Sequence, residues 1–147
     1  MGGRLMEEHE CFYCERGETQ KGLMIEICEL SASRVYLWRN QFFRGRCIVA
    51  HKEHRRELFD LSADELTIFM AEISRVAGVL SELYSPNKVN YASYGDVVDH
   101  LHFHVVPKYI DEGEWNQPFS RRTDTSKFLS EEQYAIRVGE IRERLEA

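Results

Sequence analysis

The chain has 147 residues, of which 43% are hydrophobic and 30% charged, and this composition fits one compact globular domain with its own core. A formal charge of -6 and a pI near 5.5 exclude a protein that binds nucleic acid polymers through a net basic surface, so an anionic ligand needs a local positive pocket. The opening MGGRLMEEHE lacks the apolar core of a signal peptide, and no window approaches the roughly 18 apolar residues of a membrane helix, so we expect a cytoplasmic protein with no membrane partner.

Three strands are predicted before the first long helix. Leu23 to Leu30 and Ser33 to Asn40 are rich in β-branched, aromatic and aliphatic residues, and a short Ser-Ala-Ser turn between them indicates a hairpin. A third strand, Gly45 to Lys52, continues the meander. Cys28 and Cys47 lie inside these apolar runs, and we interpret them as packed core thiols.

A long helix is predicted from Ser62 to Ser85. Ser62 and Glu65 stand at capping-box spacing, and Pro86 and Asn87 end the segment. Apolar residues recur at steps of three and four, which indicates one buried stripe. The stripe comprises Leu66, Phe69, Ile73, Val76, Leu80 and Tyr84.

Two further strands are predicted over residues 88–93 and 100–106. A turn at Gly95 and Asp96 joins them, and Pro107 closes the second strand.

A second helix is predicted near the end of the chain, from Ser130 to Leu145. Ser130 and Gln133 provide its cap, and Tyr134, Val138, Ile141 and Leu145 form its apolar face. The predicted fold class is α+β: five mostly antiparallel strands, one long helix between strands 3 and 4, and a C-terminal helix. We expect a single domain over residues 1–147, with a core at about 11–115 and a C-terminal extension with a helix at 116–147.

The stretch Asp99 to Tyr109, DHLHFHVVPKY, holds three of the six histidines at every second position. Alternate side chains of a strand share a face, so His100, His102 and His104 form a row with about 7 Å between successive Cα atoms. Leu101, Phe103 and Val105 then face the core. Three histidines in register by chance are improbable, so the row indicates a function.

Two kinds of chemistry suit such a row. A neutral imidazole can act as a nucleophile while a neighbour neutralises or protonates an anion such as a phosphate. Histidines two apart on a strand can also share a catalytic zinc ion that keeps an open position for water. Periodicity alone leaves both open.

A second motif, Cys-Phe-Tyr-Cys, lies near the start of the chain. Cys11 and Cys14 can form a redox pair, half of a zinc site or two incidental thiols.

The run His-Leu-His-Phe-His-Val-Val, with Gly95 before it and VAHKEHRRELFDLS upstream, resembles the histidine triad (HIT) superfamily of nucleotidyl hydrolases and transferases. The resemblance covers roughly Cys11 to Trp115. It implies an α+β sheet, usually doubled into ten strands by a symmetric homodimer, and a nucleotide substrate. It also implies that His102 attacks the α-phosphorus, with His100 and His104 as the first and third histidines of the triad.

The resemblance to the zinc-containing branch implies a metal site. His54 matches a histidine that joins a C-x-x-C pair and the first triad histidine on zinc, which gives the ligands Cys11, Cys14, His54 and His100. Two thiolates and two imidazoles make a closed, structural zinc site that ties the N-terminal segment to the sheet. His51 and His9 are possible substitute ligands.

The resemblance also implies nucleotide contacts. Asn40 or Gln41 matches the residue near the ribose, and Asn90 matches an amide near the phosphate, although Asn40 and Gln41 also suit turn chemistry. Arg46 stands where many members have another histidine, and it can either clamp phosphate or be an exposed strand-end residue. His104 is the predicted partner of the non-bridging oxygens.

Two features bear on specificity. Asp96 lies in Gly-Asp-Val-Val, where the family often has an amide and a hydroxyl, and its charge would repel phosphate. In related enzymes the region beyond the triad shapes the leaving-group side, which here runs from Trp115 to Arg121 and Arg122.

These observations predict an enzyme that cleaves the α-phosphate linkage of a nucleoside phosphoramidate or dinucleoside polyphosphate through a covalent nucleotidyl-histidine intermediate on His102. Two alternatives are a nucleotide-binding partner protein with little turnover, and a metal-dependent hydrolase that uses the histidine row as a catalytic zinc site.

Overall fold

A computed structural model describes residues 10–147. It contains five strands, four α-helices and one short 3₁₀-helix over these residues. In chain order they are α1 (Phe12–Glu15), α2 (Glu18–Leu23), β1 (Met24–Glu29), β2 (Ser33–Trp38), β3 (Cys47–His51), the 3₁₀-helix (Leu58–Asp60), α3 (Ala63–Tyr84), β4 (Lys88–Ala92), β5 (His102–Lys108) and α4 (Glu131–Glu146).

The strands form one sheet in the order β1-β2-β3-β5-β4, and every neighbouring pair is antiparallel. The predicted α+β class, the five strands and both long helices are confirmed. β5 therefore lies inside the sheet, where His104 pairs with Ile48 of β3 and Ala92 of β4. An internal strand is held from both sides, so its side chains are fixed in position.

The larger core lies between one face of the sheet and the two long helices. Phe69, Ile73, Val76 and Leu80 of the predicted α3 stripe are buried, and Ser62 and Glu65 form the predicted capping box. Each such apolar side chain contributes about 1.5–3 kcal/mol through burial. The buried face of α4 joins the same core with Tyr134, Val138, Ile141 and Leu145.

β5 begins at His102, two residues later than predicted, so His100 lies just before the strand, while the side chains from Leu101 to Val105 alternate as the sequence predicts. Leu101 and Val105 are buried in the helix-facing core and Phe103 packs against it, while His102 and His104 point to the other face. That second face is covered by a smaller cluster that includes Tyr13, Trp38 and Ile48.

Two further details differ from the sequence predictions. The short helices α1 and α2 lie before β1, where the sequence predicts no regular element, because helices of four and six residues are too short to show periodicity. Pro107 lies within β5 and pairs with Val89, so the strand ends one residue later, at Lys108. The pairing of β5 with β3 already ends at Val105, so the missing N–H of Pro107 removes no pairing with β3.

Among residues 10–147, no helix combines the length and the apolar character that crossing a bilayer requires.

Candidate functional site

Four potential metal ligands converge beside the histidine row. The side-chain donor atoms of Cys11, Cys14, His54 and His100 all lie within 4.8 Å of one another. The Nδ1 atom of His100 is 3.4 Å from Sγ of Cys11, 3.6 Å from Sγ of Cys14 and 3.2 Å from Nδ1 of His54. The two cysteines lie at the start of α1 and within it, and the two histidines come from segments that follow β3 and precede β5.

The chemistry of this cluster fits a tetrahedral metal. Zinc–sulfur bonds of about 2.3 Å and zinc–nitrogen bonds of about 2.0–2.1 Å place tetrahedral ligand atoms roughly 3.3–3.8 Å apart, and the observed separations of 3.2–3.6 Å are close to this range. Nε2 of His100 donates to the backbone oxygen of His51 at 2.8 Å, so Nδ1 carries the lone pair that faces the cluster. The four residues can therefore hold a metal ion.

No other group of three or more potential ligands occurs among residues 10–147. His100 thus belongs to the cysteine cluster, and His102 and His104 stand outside it. His51 supplies the oxygen that orients His100 and does not join the cluster. His9, the other substitute considered, lies outside the described residues.

His102 is oriented by a backbone hydrogen bond. Its Nδ1 lies 2.6 Å from the carbonyl oxygen of His100, and because a carbonyl only accepts, Nδ1 carries the proton. Nε2 of His102 therefore holds a lone pair. Burial lowers the pKa of His102, so the imidazole stays neutral and nucleophilic near neutral pH.

His104 is held in the opposite tautomer. Nη2 of Arg46 lies 2.9 Å from Nδ1 of His104, and a guanidinium only donates, so Nδ1 accepts and the ring proton lies on Nε2. Burial and the Arg46 charge lower the pKa of His104 to about 2. His104 is therefore a neutral hydrogen-bond donor beside a neutral nucleophile, with the two ring centres 5.6 Å apart.

Arg46 is a buried cation, not an exposed strand-end residue. Its side chain is fully covered, and its Cζ atom lies 5.1 Å from the ring centre of Trp38 and 5.0 Å from that of Phe119. Nη1 donates to the carbonyl of Ser120 at 2.9 Å, and Nε is buried with no hydrogen-bond partner among residues 10–147. Burial lowers the pKa of Arg46 to about 9, which still leaves the guanidinium charged at neutral pH.

His102 and His104 open into a cavity of about 250 Å³. The aromatic part of its wall includes Tyr13, whose ring centre lies 5.1 Å from that of His102, and Trp38, 5.5 Å from that of His104. The cavity is lined by Phe12, Tyr13, Trp38, Tyr94, Asp96, Val97, Val98, His102, His104, Phe119 and Arg121. Such a mixture of aromatic surface and a few polar groups suits a small organic ligand with an anionic part.

The amides predicted to bind nucleotide lie elsewhere. Asn40 is buried, with Nδ2 donating to the carbonyl of Asp124 at 3.1 Å and Oδ1 accepting from the Phe42 amide at 3.1 Å. Gln41 is likewise engaged, since Nε2 donates to the Trp38 carbonyl at 2.6 Å and Oε1 accepts from the Gly45 amide at 2.9 Å. Both amides thus stabilise the connection between β2 and β3, and nucleotide contact by either stays a prediction.

Asn90 shares a sheet face with the histidines but lines a separate depression with Lys88, Lys108 and Trp115. Trp115 is therefore not part of the histidine cavity. The segment beyond the triad reaches that cavity through Phe119 and Arg121 instead. A phosphate contact of Asn90 stays a prediction.

Sequence reasoning did not assign the aromatic wall. Phe12 and Tyr13 are the two residues between the cysteines, and holding both thiols at one cluster turns this segment into α1 and brings Tyr13 over His100 and His102. The sequence could have indicated this, because the two inner residues of a C-x-x-C motif lie close to the ligand that the cysteines bind.

Comparison with known proteins agrees with this arrangement. A family model described as the HIT domain matches residues 27–111. An uncharacterised HIT-like protein of Methanocaldococcus jannaschii is 28% identical over 110 residues, which cover 71% of this chain and 83% of that protein. An adenosine 5'-monophosphoramidase of Schizosaccharomyces pombe is 25% identical over 105 residues, which cover 69% of this chain and 77% of that protein.

Solved structures share the fold. A histidine triad protein from Bradyrhizobium japonicum aligns with a TM-score of 0.77 at 22% identity, covering 87% of this chain and 95% of the other. A zinc-bound histidine triad family protein from Mycobacterium smegmatis gives 0.63 at 23% identity, with coverage of 95% and 96%. A diadenosine triphosphate hydrolase from Plasmodium falciparum gives 0.63 at 14% identity, with coverage of 86% and 78%. At these identities the likeness shows the fold alone.

Proposed function

The chain belongs to the HIT domain family, whose model matches more than half of it, and from this premise we propose that it is a nucleotidyl hydrolase or transferase. The substrate is a nucleoside phosphoramidate, a dinucleoside polyphosphate or a similar nucleotide conjugate. The observation that carries the proposal is the pair of opposed tautomers in one cavity: His102 presents a lone pair on Nε2, and His104 presents a proton on Nε2.

The proposed reaction has two steps. In the first, Nε2 of His102 forms a bond to the α-phosphorus, and the bond from phosphorus to the leaving group breaks with its electron pair on the leaving group. The Nδ1–H of His102 stays hydrogen-bonded to the carbonyl of His100, which stabilises the charge that develops on the ring. In the second, an oxygen of water or another acceptor bonds to phosphorus while the phosphorus–nitrogen bond breaks. The electron pair of that bond returns to Nε2 of His102, and the proton of the acceptor passes to solvent.

His104 and Arg46 stabilise the charge on phosphorus. The Nε2–H of His104 donates to a non-bridging oxygen of the α-phosphate, and Arg46 behind it polarises the imidazole through Nδ1. This places a fixed donor at the site where negative charge concentrates in the transition state.

We propose zinc as the metal of the cysteine–histidine cluster. The donor set of two thiolates and two imidazoles with closed geometry is typical of structural zinc. Bound there, the metal would cross-link α1 to the segments that carry His54 and His100. His102 remains free for chemistry, and the structural role is separate from the reaction.

The resemblance also leads us to propose a homodimer. β4 forms one edge of the sheet and Tyr91 on it is 51% exposed, so an edge is available for pairing. Sedimentation of the intact chain would test the oligomeric state.

The test of the function is His102→Ala, assayed against an adenosine phosphoramidate and diadenosine triphosphate. We expect turnover to fall by about 10³-fold or more with metal content and melting temperature retained, because the nucleophile lies outside the metal cluster. Mass spectrometry of the quenched wild-type reaction should show a nucleotidyl adduct on His102.

The matched control is His51→Asn. His51 is also buried, and its Nδ1 accepts from the Glu53 amide, a contact that an asparagine oxygen can reproduce. We expect this variant to keep turnover. Wild-type rate constants in His102→Ala would contradict the mechanism, and nucleotide binding without cleavage of any substrate would instead assign the chain as a binding partner.

A further inference from the structure

Arg121 differs from the other arginines of residues 10–147. Each of the others has at least one hydrogen bond or ion pair with the protein, whereas Arg121 has none within this range. Its neighbour Arg122, for example, pairs with Glu114 at 2.7 Å and lies 3.8 Å from the Phe42 ring centre. Arg121 is exposed and lines the histidine cavity. A cation without a partner in this part of the chain is thus available to a ligand there.

The backbone on both sides of Arg121 is fixed to the cavity wall. The carbonyl before it, on Ser120, accepts from Arg46 at 2.9 Å, and the carbonyl after it, on Arg122, accepts from Nε1 of Trp38 at 2.8 Å. Arg122 adopts a left-handed backbone conformation with a φ of 54°, and its side chain pairs with Glu114 and does not line the cavity. The position of Arg121 is therefore set by two neighbouring bonds, while its guanidinium remains available to a ligand.

We infer that Arg121 binds the phosphate next to the one that His102 attacks, so that the site selects substrates whose leaving group is a phosphate. This inference rests on the function proposed above and makes Arg121 a specificity-determining residue. A guanidinium binds phosphate oxygens in bidentate fashion, and it stabilises negative charge without transferring a proton.

The electron balance of the first step favours such a leaving group. When the bond between phosphorus and the bridging oxygen breaks, the electron pair stays on an oxygen of the departing phosphate, next to the Arg121 charge. A phosphate leaves as an anion and needs no proton. An amine leaving group needs a proton, and Arg46 blocks His104 from regaining one through Nδ1.

The other charged group of the cavity wall does not cancel this site. Asp96 also lines the cavity, but it forms no ion pair with Arg121. Asp96 disfavours an anion next to its own carboxylate, so we expect a phosphate in this cavity to lie beside Arg121 and not beside Asp96. The Arg121 charge also makes a minor contribution to lowering the pKa of His104, which agrees with its place on the same cavity wall.

The experiment compares two substrates that share the adenylyl group: diadenosine triphosphate, whose leaving group is a nucleoside diphosphate, and an adenosine phosphoramidate with an uncharged amine. In Arg121→Gln we expect kcat/KM to fall by about tenfold or more for the triphosphate and by less than about twofold for the phosphoramidate. Arg121→Lys should recover part of the loss, because it restores the charge without the bidentate geometry.

Lys127→Gln is the matched control, since it removes one positive charge from the same exposed segment and does not line the cavity. It should leave both substrates unchanged. Equal losses on both substrates in Arg121→Gln, or no loss on either, would overturn the inference.

A binding measurement separates this inference from the proposed function. Calorimetry with ADP and AMP reports the contribution of a second phosphate without any turnover. The ratio of the two affinities should fall by about tenfold in Arg121→Gln and stay constant in Lys127→Gln. If the wild type cleaves neither substrate but the ratio of the ADP and AMP affinities still falls in Arg121→Gln, the proposed function fails while the phosphate site stands. An unchanged ratio in Arg121→Gln overturns the phosphate site.

Discussion

Arg46 donates a hydrogen bond from Nη2 to Nδ1 of His104 across 2.9 Å, and both side chains are buried. A buried cation next to an imidazole is unfavourable for imidazolium, so this contact fixes the tautomer of His104 and, together with burial of the ring, keeps it neutral. The family resemblance implies that many members have a histidine at the position of Arg46. The chain thus places a permanent charge behind the histidine row in place of a titratable group.

Replacing Arg46 by Met should release His104 from this control. Removal of the neighbouring positive charge should raise the pKa of His104 from its low value. The tautomer with the proton on Nε2 should no longer predominate, because Nδ1 loses the donor that holds it as an acceptor. Nitrogen-15 NMR of the ring measures both properties. We also expect turnover to fall by about 10²-fold, because the donor at the phosphate is no longer polarised. An unchanged tautomer and pKa would contradict the role of Arg46.

The stability of the fold should decrease in acid partly because of His104. Burial and Arg46 lower its pKa from 6.5 to about 2 in the folded chain, so between these values the unfolded chain binds a proton that the folded chain lacks. Titration of His104 therefore leaves the free energy of unfolding unchanged above about pH 6.5. Below that pH it lowers the free energy of unfolding by roughly 1.4 kcal/mol per pH unit. Urea unfolding of wild type and His104→Gln from pH 7 to pH 4.5 should show a shallower pH dependence in the variant.

Metal content and stability should change together in Cys14→Ser. Cys14 belongs to the four-residue cluster, and loss of one thiolate weakens the cross-link between α1 and the histidine segments. Elemental analysis should give one zinc per wild-type chain and less in the variant, with a lower melting temperature and residual turnover. Cys28→Ser is the control, because Cys28 lies in the core away from the cluster and should keep the metal. A metal-free wild type with an unchanged melting temperature would rule out a structural site.

Two glycines should respond in opposite directions to alanine. Gly45 has a φ of 84°, and a Cβ there would lie 2.5 Å from ring carbons of Tyr84, so Gly45→Ala should destabilise the chain by about 2 kcal/mol or more. Gly139 lies inside α4, and a Cβ added there would meet nothing within 4 Å, so Gly139→Ala should stabilise by about 0.5–1 kcal/mol. Urea unfolding measures both. Similar changes in the free energy of unfolding for the two substitutions would argue against backbone strain in Gly45→Ala.

The regular elements could be predicted because their signals are local. The capping box of Ser62 and Glu65 and the alternation of histidines with Leu101, Phe103 and Val105 both act within a few residues of the chain. The same alternation indicated that the histidine row has a function, but the choice between phosphate chemistry and a catalytic zinc site required the family resemblance. Assignment of His54 to the cluster required the resemblance, because nothing within its own segment distinguishes it from His51.

The contacts that complete the cavity could not be predicted, because they depend on chain segments far apart in sequence. From the sequence Asn40 resembles a ligand-binding amide, but in the fold its Nδ2 donates a hydrogen bond to the distant Asp124 carbonyl. Trp115 resembles a pocket residue, but the turn after β5 places it in another depression. The resemblance assigned the stretch through Arg121 and Arg122 to the leaving-group side, but it could not single out Arg121, because the lack of a partner within residues 10–147 is a property of the folded chain.

The segment that follows β5 is attached to the sheet through its backbone. Four carbonyl oxygens of this segment accept hydrogen bonds from β2 or from the loop that follows it, those of Ser120, Arg122, Asp124 and Lys127. A carbonyl is present whatever the side chain, so docking of this segment is insensitive to which amino acids it contains. Arg121, which is exposed and lines the cavity, can therefore be exchanged without undocking the segment, and an engineer or an evolving lineage can alter what the cavity accepts while the scaffold stays intact.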